Sequence, residues 1–82
     1  MNIKPLRPDL KIILNKYGLT KKFKKQKNFF ELDSFYPSLH TEKLQPTQLN
    51  IYSFRIDKKY RAIFIVTKDQ EVEIVDINLH YQ

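Results

Sequence analysis

The sequence predicts an α+β domain in which two helices pack against an antiparallel sheet. Two observations support this class. Apolar side chains recur at helical spacing in residues 8–33, and the second half of the chain contains three runs rich in β-branched and aromatic residues, separated by short polar turns. The economical arrangement of three consecutive strands with short turns is an antiparallel meander.

The composition indicates a small domain that benefits from a partner. At 82 residues the chain forms a single domain, residues 1–82. Such a chain buries roughly 60–65% of its unfolded surface, so association adds needed stability. The absence of cysteine excludes disulfides, thiolate metal sites and cysteine nucleophiles. No signal peptide or membrane-spanning run is recognisable, and a cytoplasmic location is expected.

Positive charge is concentrated in the first third of the chain. Residues 1–28 contain nine Lys or Arg and a single acid, Asp9, for a net charge of +8, whereas residues 29–82 carry six Lys or Arg and eight acids, for a net charge of −2. This asymmetry indicates a polyanionic partner, either nucleic acid or an acidic protein segment. On charge alone, a solvated lysine face that maintains solubility is an equally good interpretation.

Two helices are predicted after a short edge strand in residues 2–6, where Pro5 removes a hydrogen-bond donor. The first helix spans residues 8–17, since Pro8 suits a first turn and Gly18 a helix end. Its apolar stripe has the spacing i, i+3, i+4, i+7 and consists of Leu10, Ile13, Leu14 and Tyr17.

The second helix is predicted from residue 21 to residue 33, with Thr20 as its cap. It forms an antiparallel helical hairpin with the first helix. Its apolar face consists of Leu19, Phe23, Gln26 and Phe30. Because successive helical residues are about 100° apart, its lysines point away from that face and form an exposed cationic surface. These lysines are Lys21, Lys22, Lys24 and Lys25.

A long ordered loop and the sheet make up the rest of the chain. Residues 34–50 carry two prolines and no sustained period, and ordered loops of this length are often functional. Strands are predicted at 51–57, 60–66 and 71–77. With the N-terminal edge strand, the sheet has three to four strands.

Alternation along the strands predicts two arginines on one face of the sheet. If Phe54 and Phe64 face the helices, then Arg55 and Arg61 lie together on the opposite face of neighbouring strands. This register requires an odd-numbered hairpin loop, predicted as residues 57–59 with one residue in the left-handed αL conformation.

Three phrases of the sequence match a known family. YPSLHTEKL (36–44), YSFRIDKKYRAIF (52–64) and VDINLHYQ (75–82) together resemble the RelE/ParE superfamily of toxins from bacterial type II toxin–antitoxin systems. The resemblance implies a RelE-like fold, neutralisation by a cognate antitoxin, and assembly as a homodimer or a toxin–antitoxin hetero-oligomer. It implies no cofactor and no metal.

Within the superfamily, the pattern is most similar to YoeB-like and HigB-like mRNA interferases, which cleave mRNA in the ribosomal A site. Arg61 takes the place of the catalytic arginine of YoeB-like toxins, Arg55 that of an accompanying arginine, and Glu42 that of the catalytic glutamate. His80 and Tyr81 match the terminal His-Tyr pair. The phrase PSLHTEKL is closer to HigB-like sequences, in which the histidine and tyrosine are separated by other residues.

Metal-independent RNA cleavage needs a base for the 2′-hydroxyl, a cation for the phosphoryl oxygens and an acid for the leaving 5′-oxygen. Glu42 is the candidate base, and Arg61, with Arg55 beside it, the candidate phosphate ligand. His80 is the candidate acid and Tyr81 stacks on a base. Exposed lysines are the candidate ligands of RNA phosphates. They are Lys21, Lys22, Lys24, Lys25, Lys43, Lys58 and Lys59.

Other functions fit the same sequence. A ParE-like protein inhibits DNA gyrase by protein contacts alone, and a degenerate toxin only binds RNA or its antitoxin. Each candidate residue also has a structural interpretation. The arginines would pair with Glu71 or Glu73 across the sheet, and the terminal His-Tyr pair would be solvated. His40, which fits a structural loop position, is an alternative base to Glu42.

Overall fold

The computed structural model describes residues 1–79 and confirms the α+β class. Two helices pack against a four-stranded antiparallel sheet, and short 3-10 turns at Pro37–Leu39 and Thr47–Leu49 lie in the long connection. The helices are α1 (Pro8–Lys16) and α2 (Thr20–Leu32). The strands are β1 (Glu42–Lys43), β2 (Tyr52–Arg55), β3 (Tyr60–Val66) and β4 (Val72–Leu79).

A tight turn at Gly18 joins α1 to α2. Gly18 has a φ of +64°, which glycine adopts without a steric penalty. The amide of Leu19 donates to the carbonyl of Leu14 at 2.7 Å and completes the end of α1. Thr20 is the first residue of α2 and makes no capping hydrogen bond, because Leu19 occupies the N-cap position. The predicted Thr20 cap was therefore wrong.

The sheet has the order β1-β2-β3-β4, and the predicted antiparallel meander is confirmed. The predicted N-terminal strand was wrong, since Ile3 forms only an isolated parallel bridge to Val72. Pro5 has no amide hydrogen with which to extend that pairing. The fourth strand is instead β1, which lies within the predicted loop and pairs with β2 through Glu42 and Ser53.

The turn between β2 and β3 sets the register of the two arginines. Arg55 and Arg61 are Cα partners, so the predicted three-residue loop, 57–59, is confirmed. None of its residues has a positive φ, which corrects the predicted αL residue. The side chain of Asp57 substitutes for it, because Oδ1 accepts hydrogen bonds from the amides of Lys59 and Tyr60, each at 2.8 Å.

A bulge at Val75 decides which side chains of β4 face outward. The pairing with β3 shifts by one residue there, so Val75 has no partner. Strict alternation would have turned Asp76 into the core. Instead Ile77 is buried, while Asp76 and Asn78 are exposed on the other face. β4 extends to Leu79, two residues beyond its predicted end.

The core between the helices and the sheet is aromatic. The ring centroid of Phe30 in α2 lies 5.2 Å from those of Phe54 and Phe64, and Phe23 stacks at 6.1 Å on Phe54. The predicted helix faces are confirmed, with the exception of Tyr17, which is exposed and stacks on Tyr60. The cationic surface of α2 is exposed as predicted.

Candidate active site on the open face of the sheet

The open face of the sheet is the face turned away from the helices, and two rows of mainly polar side chains cross it. The strand register defines both rows. The first consists of Arg55, Arg61 and Asn78. The second consists of Glu42, Ser53, Ile63 and Asp76.

Arg61 is a buried cation on this face, with 6% of its surface exposed. Its Nη1 donates to Ser53 Oγ at 2.9 Å and to the carbonyl of His40 at 3.1 Å. Its Nη2 lies 3.6 Å from Oε1 of Glu42. A buried guanidinium is tolerated when acceptors and an opposite charge surround it, and these contacts supply both.

The connection from α2 to β1 delivers two of those contacts. His40 has a φ of +45° at the end of a 3-10 turn, which directs its carbonyl to Arg61. Two residues later Glu42 pairs with β2 beside Ser53, so its carboxylate reaches the same guanidinium. The hydroxyl of Thr41 donates to the carbonyl of Ser34 at 2.6 Å and fixes this stretch of chain.

Two neighbouring arginines dominate the electrostatics around Arg61. Burial lowers the pKa of Arg61, the neighbouring Glu42 carboxylate raises it and Arg55 lowers it further, so the net shift is downward. Arginine stays protonated nonetheless. Like charges directly opposite each other are unfavourable in a sheet. In addition, Nε of Arg55 is buried and has no hydrogen-bond partner among residues 1–79.

The structure thus brings together Glu42, Arg55 and Arg61, which the sequence placed in a loop and on two strands. The alternative pairing of the arginines with Glu71 or Glu73 was wrong. Arg61 is opposite Asn78 in β4, whereas Glu73 is opposite Ile65, four residues further along β3.

The lysines predicted to bind RNA do not form one surface. Lys22, Lys25 and Lys58 line a groove together with Arg55. Lys43 lies on the other side of β1 from Glu42, with Nζ 5.7 Å from the ring centroid of Tyr52. The remaining three, Lys21, Lys24 and Lys59, are exposed outside that groove.

His80 and Tyr81 lie outside the described residues. Two groups at the site were not predicted as site residues. The alternation of YSFR already placed Ser53 on the face of Arg55, which was a usable signal for its contact with Arg61. Asn78 had no such signal, since the bulge in β4 decides its face.

No group of three or more His, Asp or Glu side chains within residues 1–79 is arranged to hold a metal ion. Nor does any helix in this part of the chain have the length and apolar character needed to cross a membrane.

Comparison with known proteins identifies the fold. No protein-family model and no curated protein sequence matches the chain. Among solved structures, a YoeB/ParE toxin from Agrobacterium tumefaciens is similar, with a TM-score of 0.71 and 17% sequence identity. The match covers 99% of this chain and 100% of that toxin. The protein therefore has a RelE/ParE-like toxin fold, as the sequence resemblance predicted.

Proposed function

We propose that this protein is the toxin of a type II toxin–antitoxin system and that it cleaves mRNA as a metal-independent endoribonuclease in the ribosomal A site. The fold supports the general class of toxin. The observation that carries the nuclease proposal is the contact between Glu42 and the buried Arg61, with Arg55 directly across the strand pair. The sequence resemblance matches these residues to the positions of the YoeB-like catalytic pattern.

The chemistry uses the nucleophile of the substrate itself. The 2′-oxygen attacks the adjacent phosphorus while its proton passes to Glu42, and the bond from phosphorus to the 5′-oxygen breaks. His80 gives a proton to that oxygen, so the products are a 2′,3′-cyclic phosphate and a 5′-hydroxyl. Tyr81 stacks on a neighbouring base.

Arg61 stabilises the charge that develops on the phosphoryl oxygens. Its separation of 3.6 Å from Glu42 exceeds the usual length of a charge-assisted hydrogen bond, about 2.7–2.9 Å. A phosphoryl oxygen can therefore replace the carboxylate at Nη2. This exchange leaves Glu42 next to the bound nucleotide, where a general base is needed.

The proposed partners follow from the same assignment. A cognate antitoxin neutralises the protein and adds the buried surface that a small domain lacks. The ribosome presents the mRNA in the cytoplasm. Exposed lysines, among them Lys21, Lys24 and Lys59, bind RNA phosphates without sequence preference.

The test is to induce the protein in cells and to map new mRNA 5′ ends. Wild type should arrest growth and generate 5′ ends within codons, whereas Arg61→Ala and His80→Ala should do neither. Arg7→Ala is the matched control, because Arg7 is an exposed arginine paired only with Asp9 and the carbonyl of Val75 among residues 1–79. It should behave as wild type.

Growth arrest without new mRNA ends would contradict the nuclease proposal. ParE-like proteins inhibit DNA gyrase, and the sequence resemblance leaves that function open for this protein. A supercoiling assay with purified gyrase should therefore accompany the mapping. Inhibition of supercoiling that survives Arg61→Ala would favour the ParE-like function. Retention of a co-expressed neighbouring gene product on the purified protein would support the antitoxin assignment.

A further inference from the structure

A groove of about 600 Å³ lies between α2 and the turn that joins β2 to β3, and Arg55 is one of the residues that line it. The side chain of Gln26 holds together the elements that form the wall of the groove. Gln26 is 7% exposed, and its Nε2 donates to the carbonyls of Arg55 at 2.7 Å and of Ser38 at 3.0 Å. Its Oε1 accepts from the hydroxyl of Ser38. The sequence pattern alone places Gln26 in an apolar face, whereas its hydrogen bonds make it the joint between helix, connection and sheet.

The groove is strongly cationic. Four of its residues are basic, Lys22, Lys25, Arg55 and Lys58, against the single acid Asp57. Asp57 is already engaged by two backbone amides and by Nζ of Lys22 at 3.3 Å. Within residues 1–79, Lys25 and Lys58 form no ion pair. Their charges are therefore available to an anion in the groove.

Arg55 connects the groove to the candidate active site. It lines the groove and is also the direct cross-strand partner of Arg61. Two arginines in this position repel each other, and within residues 1–79 the Glu42 carboxylate pairs with Arg61 but not with Arg55. The orphaned Nε of Arg55 adds an unused donor at the same place. A phosphate chain that reaches Arg61 can thus continue past Arg55 into the groove.

One wall of the groove is aromatic. The rings of Phe29 and Tyr36 are parallel, with an interplanar angle of 6° and centroids 4.2 Å apart. Tyr36 is 38% exposed and lines the groove together with Lys25 and Lys58, so part of this residue is accessible beside the cations. Aromatic surfaces next to cationic tracks are typical sites for unpaired bases of single-stranded RNA. An acidic peptide would use the lysines but has no need of the ring.

We infer that this groove binds the nucleotide adjacent to the cleaved phosphodiester of single-stranded RNA, with its phosphate on Lys25, Lys58 and Arg55 and its base stacked on Tyr36. The inference rests on the proposed ribonuclease function, which supplies the adjacent site. It separates these residues from exposed lysines such as Lys21, Lys24 and Lys59, which do not line this groove.

The test measures binding of a fluorescent, non-cleavable 2′-O-methyl oligonucleotide of about six nucleotides, a length within the usual range for single-strand sites. Affinity is taken from fluorescence anisotropy at several salt concentrations. Tyr36→Leu should weaken binding about 10-fold without changing the salt dependence, whereas Tyr36→Phe, which keeps the ring, should bind as wild type. Lys25→Ala/Lys58→Ala should weaken binding and reduce the log–log salt slope by about 1.4.

The matched control is Lys16→Ala/Lys68→Ala, which removes two exposed lysines outside the groove. Equal losses in the two double variants would overturn the inference. Unchanged affinity of Tyr36→Leu for the oligonucleotide would also overturn it. A polyglutamate peptide that displaces the RNA and binds Tyr36→Leu as tightly as wild type would overturn it as well. Thermal unfolding of every variant verifies that it is folded.

Failure of the groove and failure of the nuclease are distinguishable. If RNA cleavage in cells depends on Arg61 but the groove variants bind the oligonucleotide normally, the groove inference is overturned and the nuclease proposal stands. Groove-dependent binding without any cleavage in cells overturns the nuclease and, with it, the placement of the groove beside a cleaved phosphate.

Discussion

The two faces of the sheet bury different kinds of side chain, although the same strands build both. The helix-covered face is closed by aromatic rings such as Phe54 and Phe64, which are 0% and 3% exposed. The open face contains Arg61, which is almost as buried at 6% but is held by hydroxyl, carbonyl and carboxylate oxygens. Burial on one face thus stabilises the fold, whereas burial on the other positions a charge.

The largest expected effect belongs to the aromatic face. Phe54→Ala should lower the free energy of unfolding by about 3–5 kcal/mol, because it leaves a cavity between Phe30 and Phe64. Ile63→Ala is the matched control on the open face, where Ile63 is only partly buried, and should cost much less. Urea denaturation measures both. Equal costs would mean that the open face is as tightly packed as the core.

The contact of Ser53 with Arg61 should give the next largest effect. Ser53→Ala removes an acceptor from a buried guanidinium and should cost about 1–2 kcal/mol. In an Arg61→Met background the same change should cost almost nothing, since the donor is gone. Arg61→Met alone should leave stability unchanged or raised, because removing a buried charge is often neutral or favourable. Urea denaturation of all four proteins tests this, and a Ser53→Ala cost that persists in the Arg61→Met background would assign it to packing.

The turn that sets the register of both faces should respond to pH. Partial burial by itself raises the pKa of Asp57, but hydrogen bonds from two amides and Lys22 outweigh it, and the net pKa is lowered. Its charge therefore stabilises the fold above the ordinary pKa of about 3.9, and this contribution is lost as pH falls through the folded value. Asp57→Asn should lose about 0.5–1 kcal/mol at neutral pH and converge with wild type in acid. Thermal unfolding of both proteins across pH measures this. A difference in stability between Asp57→Asn and wild type that does not change with pH would contradict the prediction.

The smallest effect on stability should come from Glu42, whose side chain is 53% exposed. Glu42→Gln should change the free energy of unfolding by about 0.5 kcal/mol or less, since solvent screens its pairing with Arg61. Loss of a general base should nevertheless lower mRNA cleavage about 10²-fold or more. Unfolding and cleavage measured on the same preparation separate the two roles. Parallel, equally small changes would assign Glu42 to structure.

Local patterns were sufficient for the helices, the meander and the shared face of the arginines. Alternation in YSFR and YRAIF placed Arg55 and Arg61 together, and the register confirmed it. The short strand of Glu42 was not predictable in this way. Two residues carry no periodicity, and their strand exists because β2 offers an unpaired edge to the passing chain.

The predictions for the loop conformation at Asp57 and for the cap of α2 were wrong for a related reason. Both predictions assigned a local role from residue type, αL backbone in the turn and a hydroxyl cap at Thr20. In the fold, the carboxylate of Asp57 accepts hydrogen bonds from the amides of the turn. Leu19 occupies the N-cap position of α2 and is buried in the core. Side-chain hydrogen bonding and burial outweighed the residue preferences.

The sequence by itself determined the class of the domain, its cationic helix and the shared face of its arginines. These features depend on repeats of two and 3.6 residues, which can be recognised from residues that are close together along the chain. Only the tertiary structure decided that Arg61 is buried and that Glu42 and the His40 carbonyl reach it. It also decided that Gln26 and Tyr36 line one groove with Arg55. Those contacts join residues far apart in sequence, so they exist only once the core has closed.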